Sequence, residues 1–392
     1  MIAGAGARPP LPLPLTVVTG FLGAGKTTLL NQLLAEPALA DTLVLINEFG
    51  EIGLDHLLVE KIDGDMLLMS SGCLCCTIRG DLVATLEDAL RRRDNGRSKP
   101  FARVIIETTG LADPAPVLQT IMSHPYLMLR YRLETVITLV DAVNAMHTLD
   151  AHEEAVKQVA VADRLVLSKT DLVHDAAGRA APGAPSLARL KQRLAMLNPA
   201  ARLLDAAKGE AVAAALLDNG LFDPANKSVD VARWLNAGAF GADDHGHDRD
   251  HFHTAGGLHH DVNRHDARIR AFCLVSQAKI TTGAFDLFLD LLRHAHGPSL
   301  LRVKGIVALA DDPARPVVIH GVQHVFHPPT RLAAWPDADH STRMVFILRD
   351  LSPVFVADLW RALTGEIAVD TADAAALAES PLTFRHRGGL LD

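Results

Sequence analysis

The sequence contains no apolar run that approaches the length of a membrane span, and its first residues lack a basic stretch followed by a cleavable hydrophobic segment. A cytoplasmic chain with no membrane partner is therefore expected. It also lacks an excess of basic charge: the net charge of -8 argues against a general nucleic-acid binder, which needs a cationic face along the phosphates. Charged residues at 21% and aromatic residues at 5%, beside 49% hydrophobic residues, exclude a disordered or fibrous chain and fit an α/β protein with a large core. Cysteine is scarce as well. Of four cysteines, three crowd into Gly72-Cys73-Leu74-Cys75-Cys76, which in a reducing compartment points to metal binding or redox chemistry and away from a structural disulfide.

A chain of 392 residues exceeds one ordinary core, so two domains with connecting material are expected. Residues 1–13 are rich in Ala, Gly and Pro and read as a flexible leader; the prolines of Arg8–Pro14 lack donors and are expected to stay outside regular structure. From Leu15 to about Ala207, β-rich runs alternate with amphipathic helical ones. The expected strands are Leu15–Thr19, Thr42–Asn47, Val104–Glu107, Thr135–Val140 and Arg164–Ser168, the pattern of a mostly parallel sheet covered by helices. Residues 216–266 read as a His-rich linker, with a short helical piece near Val229–Leu235 followed by the stretch Asp243–His253, which carries no hydrophobic period. Beyond it, Ile269–Ser276, Leu301–Leu309, Val317–Phe326 and Met344–Leu348 read as strands, and Ala284–His294 and Pro353–Thr364 as helices, which predicts a smaller α+β domain over residues 267–392.

Gly20-Phe21-Leu22-Gly23-Ala24-Gly25-Lys26-Thr27 is a complete phosphate-binding loop, set between an expected strand and an expected helix, so residues 14–215 read as an α/β P-loop NTPase domain. Gly20, Gly23, Ala24 and Gly25 let backbone amides curl around phosphate; Lys26 neutralises the β and γ oxygens, and the Thr27 hydroxyl is placed for Mg²⁺. Ser168-Lys169-Thr170-Asp171 follows a later strand, where the Asp171 carboxylate can accept from guanine and the Lys169 stem can cover its ring. This favours GTP and GDP as the nucleotides. Glu107-Thr108-Thr109-Gly110 ends another strand, placing an acid that can hold Mg²⁺ through water, and a glycine amide, beside the γ-phosphate. Asp141 reads equally as a second such acid or as a turn cap.

Cys73, Cys75 and Cys76 are close enough for a short loop to turn at least two thiolates onto one zinc ion. A helix beginning between Thr77 and Asp81 would favour the thiolate form. In the linker, His245, His247, His251 and His253 are interleaved with Asp243, Asp244, Asp248 and Asp250, a donor set for weak, exchangeable binding of borderline divalent ions. His320, His324 and His327 read as surface histidines, and Cys273, between Phe272 and Leu274, as a core thiol.

These motifs together resemble the CobW-like metallochaperone GTPases, of the zinc-regulated GTPase metalloprotein activator type. The resemblance rests on Gly20–Thr28, Asn47–Asp55, Gly72–Cys76, Glu107–Pro114, Ser168–Asp171, Leu301–Gly305 and Gly321–His324, and covers Leu15 to about Thr364. It implies a P-loop GTPase domain followed by a CobW carboxy-terminal domain, slow intrinsic hydrolysis, Thr28 in the nucleotide loop, and Glu51 with Cys73, Cys75 and Cys76 as zinc ligands. It implies a metal-accepting client protein as partner and is compatible with self-association. Cobalt supply for cobalamin synthesis is the alternative metal role, and a metal buffer with a vestigial nucleotide site is the alternative class. Two departures stand out: Ile46 occupies a position where some relatives carry a glutamate, and Ser168 stands where many GTPases have asparagine.

Overall fold

The computed structural model of the chain describes residues 11–49, 66–71, 77–173, 186–217 and 268–365. The first part runs β1 (Leu13–Gly20), α1 (Lys26–Leu34), β2 (Thr42–Phe49), β3 (Met66–Ser71), α2 (Thr77–Asp94), β4 (Arg103–Glu107), α3 (Ala115–Ser123) and α4 (Pro125–Arg130). It continues with β5 (Tyr131–Asp141), α5 (Ala145–Ala151), α6 (Glu153–Val161), β6 (Arg164–Ser168), α7 (Thr170–Val173), α8 (Leu187–Leu197), β7 (Arg202–Asp205) and α9 (Ala213–Leu217). The seven strands form one sheet in the order β3-β2-β4-β1-β5-β6-β7, every pair parallel.

Strands buried on both faces explain the near-continuous apolar runs. Leu15, Val17, Val104 and Ile106 face a core shared with α2 and α3, while Val18, Ile105 and Ile137 face α1 and α9. Leu29, Leu30 and Leu33 of α1 fill that second core, and Leu34 packs beside Val44 and Ile46. The leader reading needs one correction, because Pro14 lies inside β1 opposite Arg132 of β5. Pairing with β4 starts only at Leu15, so the residue without a donor sits where one side of the ladder has no neighbour. Two strands of this sheet escaped the sequence reading, β3 and the short β7.

The second part comprises β8 (Ile269–Ser276), α10 (Thr282–His296), β9 (Leu300–Val307), β10 (Val317–Val322), β11 (Val325–Phe326), β12 (Thr330–Arg331), β13 (Thr342–Arg349) and α11 (Pro353–Thr364). Its antiparallel sheet has the order β11-β10-β9-β13-β8, with β12 on β10. Val317–Phe326 is not one strand as expected: Gln323, at φ 54°, turns the chain between β10 and β11.

An antiparallel sheet can leave one face in water, but this one has two dry faces. Val303, Val307, Met344, Phe346 and Leu348 pack under α10 and α11 with Phe288 and Trp360. On the other face, Ile269, Leu301 and Ile347 share a core with α6, α8 and β6, so the sheet docks on the first domain. Cys273 is half-buried on this face with Ile306 and Val345, and burial pushes its thiol up to about 11.

The docked face carries one buried ionic cluster. Asp163, at the start of β6, bonds Arg302 at 2.8 Å and Lys304 of β9, and its other oxygen accepts the Val136 amide at 2.8 Å. Burial would raise the Asp163 carboxyl, but Arg302 and Lys304 outweigh it and hold the group well below the usual carboxylate range. Burial, offset in part by Asp163 and reinforced by Arg302, pushes Lys304 down to about 8. His320 also belongs here and not on the open surface as expected, since it pairs with Lys304 across β10 and β9, and burial and Arg302 keep it well below the ordinary histidine value. His324 is exposed.

Asp163→Ala removes the carboxylate both cations share and should cost about 3–5 kcal/mol in denaturant unfolding. Lys304 titrates near 8 when folded and 10.5 when free. The unfolded chain therefore holds the extra proton in between, and stability should rise with pH across that window. In Lys304→Met that part of the rise should vanish from a plot of denaturation midpoint against pH.

Candidate nucleotide-binding site

The phosphate loop leaves the carboxyl end of β1 between its neighbours β4 and β5, where the connections diverge and open α/β sheets form their crevices. Gly25 caps α1 at φ 92°, a conformation a β-carbon would strain, and so turns the loop into the helix N-terminus. Lys26 is 9% exposed, and its ammonium bonds the Gly20 carbonyl at 3.0 Å and that of Phe21 at 3.4 Å. The cation thus lies inside the curl of its own loop, where phosphate oxygens are stronger partners than neutral carbonyls. Thr27 is half-buried and Thr28 exposed on the first turn.

β4 brings the second element. Glu107, 5% exposed, sits between Val18 of β1 and Ile46 of β2. Thr108 donates its amide to the Val18 carbonyl at 2.9 Å and its hydroxyl to that of Thr19 at 2.8 Å, locking the strand end to β1. Gly110 then runs against the phosphate loop so closely that a β-carbon would lie 2.6 Å from the Leu22 nitrogen. Ile46, 2% exposed, packs with Val44 and Leu34, so this position offers a core side chain and no ligand.

The base side is built from Ser168–Asp171. Ser168 donates its hydroxyl to the Ala24 carbonyl at 2.7 Å, tying the guanine motif to the phosphate loop. Lys169, at φ 59°, bonds Asp141 at 2.8 Å, while Asp171 is exposed. Asp141 also accepts from the Val143 amide at 2.9 Å and from the Asn144 side chain at 3.0 Å. Burial opposes its ionisation, yet Lys169 and these donors hold its carboxyl below the ordinary value. Of the two readings of Asp141, the turn cap describes its contacts.

The sequence reading missed Asp205, 4% exposed, which accepts the Thr170 hydroxyl at 2.6 Å and fixes the turn after β7 beside the guanine motif. Its signal was an acid at the end of a strand too short to notice. Gln158 was missed too: buried in α6, it donates to the carbonyls of Gly110 at 3.2 Å and Ala112 at 3.0 Å.

The profile of the CobW/HypB/UreG nucleotide-binding domain matches residues 14–204, and that of the cobalamin synthesis protein CobW C-terminal domain matches residues 269–364. The zinc chaperone CobW of Pseudomonas aeruginosa is 30% identical over 381 residues, covering 89% of this chain and 91% of that protein. The chain belongs to the CobW family of P-loop GTPases. The zinc chaperone YjiA of Escherichia coli is 39% identical over 199 residues, which span 51% of this chain and 59% of that one. The crystal structure of the Zn(II)-bound YjiA GTPase covers 90% of this chain and 99% of its own, with a TM-score of 0.58 and 27% identity.

Among the described residues, no group of three or more His, Cys, Asp or Glu side chains could hold a metal ion. The expected ligands Glu51, Cys73, Cys75, Cys76, His245, His247, His251 and His253 lie outside the described residues. Among the described residues no helix is long and apolar enough to cross a membrane.

Hydrogen bonds to charged groups are worth about 1.5–3 kcal/mol, so Lys26→Ala should weaken GTP binding about tenfold to hundredfold in calorimetric titration. Gly110→Ala should weaken a GTP analogue more than GDP, because only the γ-phosphate needs this turn against the loop.

Proposed function

We propose that this protein is a cytoplasmic zinc chaperone, which binds the ion at Glu51, Cys73, Cys75 and Cys76, hydrolyses GTP slowly, and hands the metal to a client protein. The observation that carries this reading is topological. β3 ends at Ser71 and α2 begins at Thr77, so the cysteine motif is tethered by its flanks to the same carboxyl edge that bears the phosphate loop, Glu107 and Gly110. β3 stands three strands from β1, roughly 14 Å at an ordinary strand spacing of about 4.8 Å. β2 lies between β3 and β4 on that path, and the Asn47–Asp55 run begins in its last residues.

Thr27 on the first turn of α1 and Glu107 at the end of β4 supply oxygen donors at this edge, the donor chemistry that Mg²⁺ selects, and would hold that ion on the phosphates. Mg²⁺ would neutralise charge developing on the β and γ oxygens. Ser168, Lys169 and Asp171 hold the base, and His245, His247, His251 and His253 add weak, exchangeable sites for incoming metal.

If GTP tightens zinc binding, zinc tightens GTP by the same factor, typically about 5- to 150-fold. A thiolate zinc site is worth on the order of 10–16 kcal/mol, whereas losing the coupling on hydrolysis removes only about 1–3 kcal/mol. Hydrolysis loosens the ion and does not expel it. A client must therefore bring competing ligands.

Zinc titration of the full chain, with GDP and with a non-hydrolysable GTP analogue, tests this directly: affinity should be at least about fivefold higher with the analogue. Equal affinities would refute the coupling. Cys75→Ser should impair zinc binding far more than Cys273→Ser, and a cobalt titration run in parallel should show the weaker ion.

A further inference from the structure

Helix α6 touches both halves of the molecule, β1 and β5 on one side and β9 on the other. At its start, the cap residue His152 stacks on Phe21 of the phosphate loop, ring centroids 4.5 Å apart. In its middle, Gln158, 1% exposed, spends its side-chain amide on the Gly110 and Ala112 carbonyls, and Lys157 pairs with Asp113 at 3.4 Å. The turn that follows Glu107-Thr108-Thr109 thus hangs on this helix. The other side of α6 packs on β9, and Glu153 at its first turn pairs with Arg349 of β13.

The helix cannot yield at its far end. Asn198, 1% exposed, shares the two N–H groups of Nδ2 among the carbonyls of Val159 at 2.8 Å, Ala160 at 3.1 Å and the cap residue Ala162 at 2.9 Å, acceptors that the helix end would leave open. The chain then enters Asp163 and its bonds to Arg302 and Lys304. Thr138 of β5 fixes the middle by donating to the Gln158 carbonyl at 2.7 Å.

We propose that Gln158 is the positioning residue for the Gly110–Ala112 turn, and that α6 carries the state of this turn to the carboxy-terminal sheet. A buried amide cannot give up both acceptors without a desolvation cost. When the Gly110 peptide turns towards a γ-phosphate, Gln158 either loses a partner or follows, and in following it moves the near end of α6, whose far end is held, where Glu153 meets β13. The coupling rests on the GTPase reading of the domain and is independent of which metal, if any, is the cargo.

The test uses the full chain in its GDP state and bound to a GTP analogue. In the wild type, amide hydrogen exchange in residues 300–307 and 342–349 should differ between the two states. Gln158→Glu keeps the shape but sets a carboxylate against two carbonyls. It should lose about tenfold in analogue affinity and in kcat, hold GDP affinity within about twofold, and erase the exchange difference. Arg349→Ala removes a partly exposed pair and no residue of the nucleotide site; it should fold normally, keep both affinities and shrink the exchange difference. A wild type without state-dependent exchange, or a Gln158→Glu protein with an unchanged ratio of analogue to GDP affinity, overturns the proposal. If Gln158→Glu does not fold, an undiminished exchange difference in Arg349→Ala overturns it instead. Loss of zinc binding alone would bear on the chaperone reading and leave this one standing.

Discussion

A helix packed between two sheets cannot shift against one without shifting against the other, and α6 is held in that position. One side closes the core over β5 and β6; the other meets the face of the second sheet that carries Leu301 and Ile347. Helix α8 packs beside α6 on that face, against β8. The apolar residues of the face must be buried against the first domain, because an exposed patch of this size would favour association over solution. The two domains are therefore bound to each other mainly by the hydrophobic effect, and the Asp163 cluster selects the register in which they meet.

The nucleotide end of the sheet follows a different logic. There the backbone does the recognition, and side chains act mainly to keep backbone segments at fixed separations. Thr108 joins β4 to β1, Ser168 joins the guanine motif to the phosphate loop, and Asp205 joins the last turn to Thr170. Gly110 contributes by having no side chain, which lets the sensing turn lie on Leu22. Each of these contacts is short, buried and between segments distant in sequence. Together they make a pocket whose walls belong to β1, β4, β6 and β7, while the edge that leads to the cysteine motif belongs to β2 and β3.

Much of this was legible before any coordinates. The phosphate loop, the strand of Arg164–Ser168 and the helix of Pro353–Thr364 are written in local signals: glycine spacing, the short apolar run Leu165-Val166-Leu167 and a Ser-Pro helix start. The break at Gln323 was not, because a non-glycine residue at positive φ leaves no compositional mark, and Val317–Phe326 reads as one apolar strand. Pro14 misled for the opposite reason, since a strong local breaker was tolerated where the ladder is one-sided. Gln158 sat beside Lys157 in the run Val156–Val161, two polar residues among apolar ones, and no local rule tells a solvent-facing glutamine from one that holds two carbonyls.

The amino-acid sequence by itself determined the chemistry that this chain can perform: which residues can cradle phosphate, read a base or bind a soft metal, since those abilities reside in residue types and short spacings. Tertiary structure alone decided which of them share a wall and which helix links them to the second domain. Strand order, the two dry faces of the carboxy-terminal sheet and the meeting of Asp163 with Arg302 and Lys304, 139 residues away in the case of Arg302, arise from burying surfaces that local sequence cannot pair. The physical reason is that hydrophobic burial is non-directional: it demands a partner for each apolar face without naming it, and only the folded chain makes that choice.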